Sequence, residues 1–542
     1  MSLSKILFRK QQLAVDQMDG ISGLTKANAY NYTVVLFASL GSFTYGYSSS
    51  IIASIFGLPS FFDYFNLSLS GPNAKEGNDI IGAANGLFFG GGLFGALVVN
   101  LILNKLGRRF SIQIICVICI ISAVIQGGAV HIAMILVGRF LSGVGVGMMQ
   151  VTIPAYMSEL SPARERGRMT GSHGVLIVVG YTAAAFTGLG CYFAKPEVQW
   201  RLCLCLQLVA PLILLIGSPL LPESPRWLVS HGKDLRALEI LLKLHAEEQV
   251  QRAAKEEFYQ ILIQLELEEE TGVHGIWGMI KRPSYRKRIL SGLLVQFASQ
   301  STGVLVINNY QILLYNNLGL YGWLPLLLYA IFSAWGAFSN WINANLLDRL
   351  GRVPIITFGL IGCICMMTIE TALVASYAST SNQGGNAAAV LFLFLFIGFY
   401  GGSQDASSYV YCSEIFPTGV RAQGLGICIA GQFACALMYT EAAPVAFANI
   451  GWRYYIVFII VPAVCLPLLW HLPETNGLLL EEIAAKFGDE VAVNSSPLSD
   501  DRQRIVNERL TALGIDNLGD IETKKTEGKG FCEQVEGNEL SD

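Results

Sequence analysis

The sequence predicts an all-α membrane protein of twelve transmembrane helices, arranged as two pseudo-symmetric six-helix bundles. Of its 542 residues, 53% are hydrophobic and only 14% are charged, well below the roughly 25% of soluble domains. Apolar runs of about 20 residues recur, each long enough to cross a hydrocarbon layer about 30 Å thick. The charged sequences between these runs occur twice, once in each half of the chain.

The twelve apolar runs are predicted to be helices rather than strands. Backbone polar groups find no water in lipid, so a spanning segment must satisfy them within itself or in a closed barrel. The runs lack the alternation of barrel strands. Their centres lie near residues 44, 92, 120, 145, 180, 210, 302, 335, 365, 399, 433 and 462.

Five segments follow one another along the chain. Residues 1–30 form a polar tail, and 31–221 hold the first bundle. The charged segment 222–287 carries apolar residues at helical spacing, which predicts short amphipathic helices. The second bundle occupies 288–472. A second tail, 473–542, is rich in Ser, Asp, Glu, Lys and Gly from about residue 488, and we expect that part to be mostly disordered.

Lys and Arg fall in alternate loops, which sets the orientation of a membrane protein. One side of the predicted bundle holds most of them, and the opposite loops hold few, such as Lys75 and Lys195. The basic side is expected to be cytoplasmic. Both termini and the segment 222–287 therefore face the cytoplasm in this prediction.

The charged loops of the two halves match one another in order and spacing. Glu159 precedes Arg166 by seven residues, and Glu414 precedes Arg421 by seven. Two similar halves with matched charged loops are typical of a solute carrier whose halves rock about a central site. The other repeated sequences are Asn104-Lys105-Leu106-Gly107-Arg108-Arg109 with Asp348-Arg349-Leu350-Gly351-Arg352, and Pro222-Glu223-Ser224 with Pro473-Glu474-Thr475.

These motifs together resemble the sugar porter family of the major facilitator superfamily, and its fungal members in particular. The resemblance covers about residues 33–485 and includes Pro222-Glu223-Ser224-Pro225-Arg226-Trp227-Leu228, Gly107-Arg108-Arg109, Gly138-Arg139, Arg166-Gly167-Arg168 and Pro473-Glu474-Thr475-Asn476-Gly477. It implies the major facilitator fold and a plasma-membrane carrier that moves a hexose, a related monosaccharide or a polyol by alternating access. It implies no enzyme activity.

The resemblance also implies a cytoplasmic gate made of loop arginines and acidic residues. An exposed ion pair contributes roughly 0–1 kcal/mol, so several pairs bias a two-state equilibrium without locking it. The alternative is that the charges only set topology, which explains the arginines but not the recurrent glutamates. Asn104 stands where the family usually has an aspartate. The implied gate residues are Arg108, Arg109, Glu159, Arg166, Glu223, Arg226, Asp348, Arg352, Glu414, Arg421 and Glu474.

The substrate site is expected near the bilayer midplane, between the halves. By resemblance, Gln300 and Gln432 match sugar-binding amides, and Asn309 and Tyr310 fall where the family has two gating aromatics. Other positions depart from the family pattern, which weakens the analogy for the substrate. Ser299 replaces a glutamine, Leu305 and Gly336 replace asparagines, Tyr409 replaces a tryptophan, His173 stands beside Gly174 where a glutamine is common, and two kinking prolines of the tenth span are missing.

Two residues bear on what drives transport. Asp405 lies mid-span, where a carboxylate costs roughly 2.5–3.5 kcal/mol to insert, so it is expected to face a cavity or a partner. It is a candidate to accept hydroxyl groups or to carry a proton; a structural bond to a neighbouring helix is the alternative. By resemblance, proton-coupled members have Gly-Tyr-Asp in the first span, near an arginine of the fourth. Here Ser48 follows Gly46-Tyr47 while Arg139 is retained, which favours facilitated diffusion.

Several alternatives stay open at this point. The chain is alternatively a proton-coupled sugar symporter using Asp405, a carrier of another polyhydroxy solute such as an acid, or a sensor that binds sugar without moving it. Its expected partners are the solute, the lipid bilayer and, in the symport alternative, protons. No nucleic-acid partner and no cofactor are expected. No metal is expected either, because nearly all twelve cysteines lie in apolar spans and lack ligand spacing.

Overall fold

A computed structural model describes residues 28–68, 74–161, 166–244, 250–271, 275–377, 380, 382–417, 420–476, 478, 483, 486–488, 505 and 508–511. The regular elements of these residues are helices. The predicted tail 1–30 lies almost wholly outside the described residues, and so does most of the tail beyond 488.

The first half begins with two short helices that follow each other almost without a break. Helix α1 has Asn28 as its N-cap, whose side chain accepts from the backbone N–H of Asn31 at 2.8 Å. The helices of this half are α1 Ala29–Ala38, α2 Leu40–Phe56, α3 Pro59–Phe65, α4 Ala74–Leu106, α5 Arg108–Gly127, α6 Ile132–Leu160, α7 Arg166–Tyr192, α8 Pro196–Leu206 and α9 Val209–Gly217.

Four shorter helices connect the halves. They are α10 Pro225–Ser230, α11 Asp234–Leu244, α12 Val250–Thr271 and α13 Gly275–Lys281. The apolar faces of α10, α11 and α12 form a small core of their own, whereas Met279 of α13 joins the main core. The buried residues of the small core are Leu228, Val229, Ala237, Leu241, Ala254, Phe258 and Leu262, together with Leu510 from the C-terminal tail.

The second half repeats the pattern of long helices, with two of its spans interrupted. Its helices are α14 Pro283–Gln300, α15 Val304–Asn317, α16 Leu324–Leu350, α17 Arg352–Tyr377, α18 Gln383–Gly401, α19 Asp405–Glu414, α20 Arg421–Ile450 and α21 Val457–Trp470.

The predicted spans correspond closely to these helices. Eleven of the twelve predicted centres lie within a helix, and the one near 302 lies at the break between α14 and α15. Nine stretches of the described residues are long and apolar enough to cross a membrane, and Arg421–Trp470, one of them, contains both α20 and α21. The predicted fold class is confirmed.

Hydrogen bonds between the halves fix which of their ends lie together. Asn340, ten residues before the end of α16, donates to the carbonyl of Gly174, eight residues after the start of α7, at 3.5 Å. Asn85, in the first half of α4, donates to the Tyr310 hydroxyl, at the middle of α15, at 3.0 Å. The charged ends of both halves therefore lie on the same side of the molecule.

A helical turn of the C-terminal tail docks on the connecting helices. The Arg509 guanidinium donates to both carboxylate oxygens of Asp234, at 2.6 and 2.8 Å, and to the Val229 carbonyl at 2.8 Å. The Leu510 side chain is buried among the apolar residues of α10, α11 and α12. Sequence analysis did not predict this contact, because nothing local marks residues 508–511 as docked.

Candidate functional site

A cavity lies between the two halves, and both contribute to its wall. The centres of water molecules can occupy about 40 Å³ of this cavity. Since each water molecule needs about 10–15 Å³ of such volume, the cavity has room for about three. Tyrosines and amides dominate its polar lining. The lining residues are Tyr45, Val178 and Tyr181 from the first half, and Gln300, Val304, Leu305, Asn308, Phe332, Ser333, Gly336, Ile397, Tyr400, Gly401, Asp405, Tyr409 and Gln432 from the second.

The first interrupted span places Gln300 at the cavity. Helix α14 ends at Gln300, and α15 begins at Val304 after three non-helical residues. Gly303 has φ of 81°, a left-handed conformation that favours glycine. A β-carbon at Gly303 would also lie 2.6 Å from the Phe458 ring. Backbone conformation and packing therefore both require glycine where the helix breaks.

The second interrupted span places Asp405 at the cavity. Helix α18 ends at Gly401 and α19 begins at Asp405, although the expected kinking prolines are missing. Gln404 supports the break, because its side-chain amide donates to the carbonyl of Ile356 in α17. A side chain anchored to another helix thus stabilises the break, although the Gln404 N–H still donates to the Tyr400 carbonyl at 2.7 Å.

The Asp405 carboxylate faces the cavity and also bonds to a neighbouring helix. Its Oδ2 accepts from Asn340 Nδ2 at 2.6 Å. Asn340 lies one helical turn after Gly336, which lines the cavity, so both occupy the same face of α16. Asp405 is also the first residue of α19, where the helix dipole favours a negative charge. Asp405 therefore both faces the cavity and bonds to a neighbouring helix, so the two interpretations are compatible.

A chain of hydrogen bonds runs from the cavity wall into the first half. The Tyr409 hydroxyl accepts from Gln432 at 2.8 Å and from Gln150 at 3.2 Å. Gln150 Oε1 lies 3.1 Å from His173 Nε2, and Ser42 Oγ lies 2.7 Å from His173 Nδ1. An amide oxygen only accepts, so His173 carries its proton on Nε2 and accepts from Ser42. His173 thus positions Tyr409 from behind and does not line the cavity.

The cavity amides retain unused hydrogen-bonding capacity. The Oε1 atoms of Gln300 and Gln432 are buried and have no hydrogen-bond partner. Two amides already donate to the Tyr409 hydroxyl, which leaves its own proton to be donated elsewhere. Buried polar groups of proteins are normally paired, so these atoms are suited to a hydroxyl-bearing solute.

Besides His173, three of the predicted substrate residues lie outside the cavity lining. Ser299 Oγ lies 3.1 Å from the hydroxyl of Tyr400, so it supports a lining residue from behind. Asn309 is buried and donates to the Leu305 carbonyl of its own helix at 2.8 Å. Tyr310 donates to the Thr440 carbonyl at 2.8 Å and accepts from Asn85 of the other half.

Sequence reasoning missed several residues that build the cavity. Tyr45 and Tyr181 line it from the first half, with ring centroids 6.2 Å apart, and Tyr400 lines it from the second. Asn340 and Gln150 hold Asp405 and Tyr409 in place. Polar residues inside apolar runs were a usable signal for Asn340 and Gln150. Tyrosines are common in membrane helices and gave no such signal.

The gate residues of the first half form a compact cluster. The Glu223 carboxylate accepts from the backbone N–H groups of Arg108 and Arg109 at 2.7 and 3.2 Å, which caps α5. The Arg108 guanidinium pairs with Glu159 at 2.7 Å. Gly107 has φ of 85°, and a β-carbon there would lie 2.6 Å from Glu223.

The second half repeats this cluster residue for residue. The Glu474 carboxylate accepts from the backbone N–H groups of Arg352 and Val353 at 3.0 and 2.8 Å, which caps α17. The Arg352 guanidinium pairs with Glu414 at 2.8 Å. Gly351 has φ of 90°, matching Gly107. The duplication seen in the sequence is therefore a duplication of structure.

The remaining gate residues are less fully described. The side chains of Arg166 and Asp348 lie outside the described part of the structure. Arg421 donates to the Phe416 carbonyl at 3.4 Å, and both Arg226 and Arg421 make further interactions. The two arginine–glutamate pairs given above each join residues of one half.

Arg139 is fully buried in the first half, beside Ser48. Its Nη1 donates to the Ser48 carbonyl at 2.7 Å and its Nε to the Ala84 carbonyl at 3.4 Å. The guanidinium carbon lies 4.1 Å from the centroid of the Phe88 ring. Nη2 has no hydrogen-bond partner. Carbonyl oxygens and an aromatic ring, none of which titrates, surround this cation.

Comparison with known proteins identifies the family. The profile of the family described as "Sugar (and other) transporter" matches residues 34–487. The chain belongs to this family. It is 31% identical over 479 residues to the MFS-type transporter criB of Aspergillus cristatus, covering 88% of this chain and 97% of that one. It is 27% identical to a high-affinity glucose transporter of Kluyveromyces lactis, covering 86% of each.

The fold of this transporter matches solved structures of the same superfamily. The structure of the proton:xylose symporter XylE bound to 6-bromo-6-deoxy-D-glucose superimposes with a TM-score of 0.73 at 23% identity, covering 85% of this chain and 99% of that one. At that identity the likeness shows the fold, which is that of the major facilitator superfamily. The chain is thus a multi-pass membrane transporter rather than an enzyme.

Proposed function

We propose that this transporter moves a monosaccharide or polyol across the membrane by alternating access, as facilitated diffusion. The cavity between the halves supports the proposal above all. Its wall combines amide groups at Gln300 and Gln432 with four tyrosines, a lining that suits the hydroxyl groups and apolar C–H faces of a sugar. The relatives named for glucose and xylose agree with this solute class.

The proposed movement is a rocking of the bundle 31–221 against the bundle 288–472. The duplicated clusters at Glu223 and Glu474 would stabilise the charged ends of the halves. Both termini and the connecting segment 222–287 would face the cytoplasm, and the protein would reside in the plasma membrane. The distribution of Lys and Arg supports this orientation.

The surroundings of Arg139 support facilitated diffusion over proton symport. A proton-driven carrier needs a group that gains and loses a proton as the halves move. Ser48 cannot titrate near neutral pH, and the described hydrogen-bond partners of Arg139 are carbonyl oxygens. The charge of Arg139 is therefore constant through the cycle we propose.

Proton symport through Asp405 is the second candidate. Asp405 is the acidic residue of the cavity lining, and a carboxyl group at the substrate site is able to couple solute binding to protonation. A carrier of another polyhydroxy solute and a non-transporting sensor are the remaining alternatives.

Uptake by cells that lack their own sugar carriers tests the proposal. Labelled glucose, xylose, myo-inositol and maltose are each offered to cells with and without the protein. We expect saturable uptake of a monosaccharide or polyol that stops when the inside and outside concentrations are equal. A protonophore is expected to leave the final level unchanged.

Each alternative gives a different result in the same experiment. Accumulation above the outside concentration that collapses with the protonophore would replace facilitated diffusion by symport. Solute binding with altered transcription but no uptake would identify a sensor. No binding or uptake of any of these solutes would contradict the proposal as a whole.

A further inference from the structure

We infer that Asp405 makes this carrier charge-selective, so that the cavity admits neutral and cationic polyhydroxy solutes and rejects anionic ones. The inference deepens the proposed function and rests on it. It decides between the neutral sugar and the polyhydroxy acid, which the sequence alone left open.

The charges at the cavity are one-sided. Asp405 is its acidic lining residue, and no Lys, Arg or His occurs among the described residues that line it. The hydrogen bond from Asn340 at 2.6 Å and the N-terminus of α19 both favour the ionised carboxylate, whereas its partly buried position disfavours it. Both are neutral groups, so they stabilise the negative charge without cancelling it.

Among the described residues, the helices packed around Asp405 place no cation in the cavity wall. The titratable groups that face the cavity from them are the phenols of Tyr45, Tyr181, Tyr400 and Tyr409. His173 lies behind Tyr409, and its ring nitrogens are occupied by Ser42 and Gln150 as a neutral imidazole. The charge of Asp405 therefore acts on whatever enters the cavity.

A solute senses this charge through its own groups. Neutral hydroxyl groups donate to a carboxylate, as the sugar-carrier proposal requires. A protonated amine is attracted to Asp405 and is also suited to the faces of the surrounding tyrosine rings. A carboxylate group on the solute would meet a like charge in a cavity with room for only about three water molecules, with no positive side chain among the described lining residues to receive it.

Competition by three sugars that share the glucose ring but differ in charge tests the inference. The full-length protein is reconstituted in liposomes, and uptake of the labelled neutral sugar identified in the cellular assay is measured near neutral pH. Unlabelled glucose, glucosamine or glucuronate is added as the competitor. We expect glucuronate to compete about tenfold or more weakly than glucose, a difference of about 1.4 kcal/mol. Glucosamine is expected to compete as well as glucose or better.

Variants of Asp405 separate charge from shape. Asp405→Asn removes the charge and is expected to bring glucuronate to within about threefold of glucose, while Asp405→Glu keeps the charge and the discrimination. Tyr409→Phe is the matched control, since it alters the same wall without changing its charge, and it should shift all three sugars alike.

The outcomes also separate this inference from the proposed function. Uptake of a neutral sugar with equal competition by glucuronate in the unsubstituted protein would overturn charge selectivity and leave the carrier function intact. An unchanged glucuronate ratio in a folded Asp405→Asn variant would overturn the role of this residue. Absence of any neutral uptake is a failure of the proposed function itself, and it is seen before the charged sugars are used.

Discussion

At the scale of single residues, backbone conformation decides where the binding groups stand. Gln300 reaches the cavity because α14 stops there, and the stop depends on the positive φ of Gly303. No other residue type fits both this conformation and the nearby Phe458 ring. The position of the Gln300 amide, which we propose binds substrate, thus depends on Gly303, a residue without a side chain.

We expect Gly303→Ala to destabilise the protein. The left-handed conformation costs an L-residue about 1–2 kcal/mol, and the displaced Phe458 ring adds to this. Thermal unfolding of the purified protein in detergent measures the loss. Uptake should fall as well, because Gln300 moves with the end of α14.

Gly190→Ala is the matched control for that substitution. Gly190 lies within α7, and a β-carbon there would meet nothing within 4 Å. The change should stabilise the protein by about 0.4–1 kcal/mol, because alanine lowers the conformational entropy of the unfolded chain. Equal unfolding temperatures for Gly303→Ala and the unsubstituted protein would show that the break tolerates a side chain.

At the scale of helices, the same capping device appears twice. Glu223 caps α5 and Glu474 caps α17, each through two backbone N–H groups beside a glycine of positive φ. A carboxylate at a helix N-terminus satisfies unpaired donors and complements the helix dipole. The acidic residues that recur in the loops therefore have a structural task besides any role in gating.

We expect Glu223→Gln and Glu474→Gln to destabilise the protein by about the same amount, near 1 kcal/mol each. The equality follows from the matched geometry of the two caps. Glu197→Gln serves as control, because Glu197 is exposed in the first turn of α8 and should change stability by less than about 0.5 kcal/mol. Unequal losses at Glu223 and Glu474 would contradict the structural equivalence of the halves.

The docked turn of the tail gives a second prediction for helices. Arg509→Ala removes the hydrogen bonds to Asp234 and Val229, which should lower the free energy of local opening by about 1 kcal/mol or more. This change corresponds to local opening that is about fivefold more frequent. Hydrogen exchange of residues 508–511 measures it. Arg236→Ala, an exposed position on α11, should leave the exchange rate unchanged. Equal rates for the two variants would show that Arg509 does not hold the turn.

The elements divide into those that sequence could predict and those it could not. Long apolar runs predicted the spans because each run satisfies its own backbone in lipid. The break at 402–404 was not predictable from prolines, because Gln404 holds it through Ile356, 48 residues away in sequence. Arg509 and Asp234 are 275 residues apart, beyond any local pattern. At the site, amides could be matched to the family, whereas Tyr45 and Tyr181 required the packing of two halves.

At the scale of the whole molecule, hydrogen bonds close the halves against each other on the side opposite the charged loops. Asn85 donates to Tyr310 across the halves, and the hydroxyls of Ser50 and Tyr329 bond across them as well. A net contribution of about 0.5–1.5 kcal/mol for each bond biases the equilibrium between the open and closed forms without fixing it.

We expect Tyr310→Phe to favour opening on that side by up to about tenfold, since one bond between the halves is lost. An added Asn308→Cys at the cavity wall reports the opening through its rate of reaction with a thiol reagent that cannot cross membranes. Tyr315→Phe is the control, because the Tyr315 hydroxyl accepts from Gln311 of the same helix. Identical rates in the two backgrounds would show that the Asn85–Tyr310 bond does not restrain opening.

The burial of Leu510 has a practical consequence for anyone who shortens this protein. Trimming the chain at about residue 500 would expose part of the apolar patch around Phe258 and Leu262, which lies on the connecting helices rather than on the spans. Detergent covers the spans but would not cover that patch in the same way, so trimmed molecules should aggregate. Keeping residues 505–511 is the better choice for preparing a monodisperse sample.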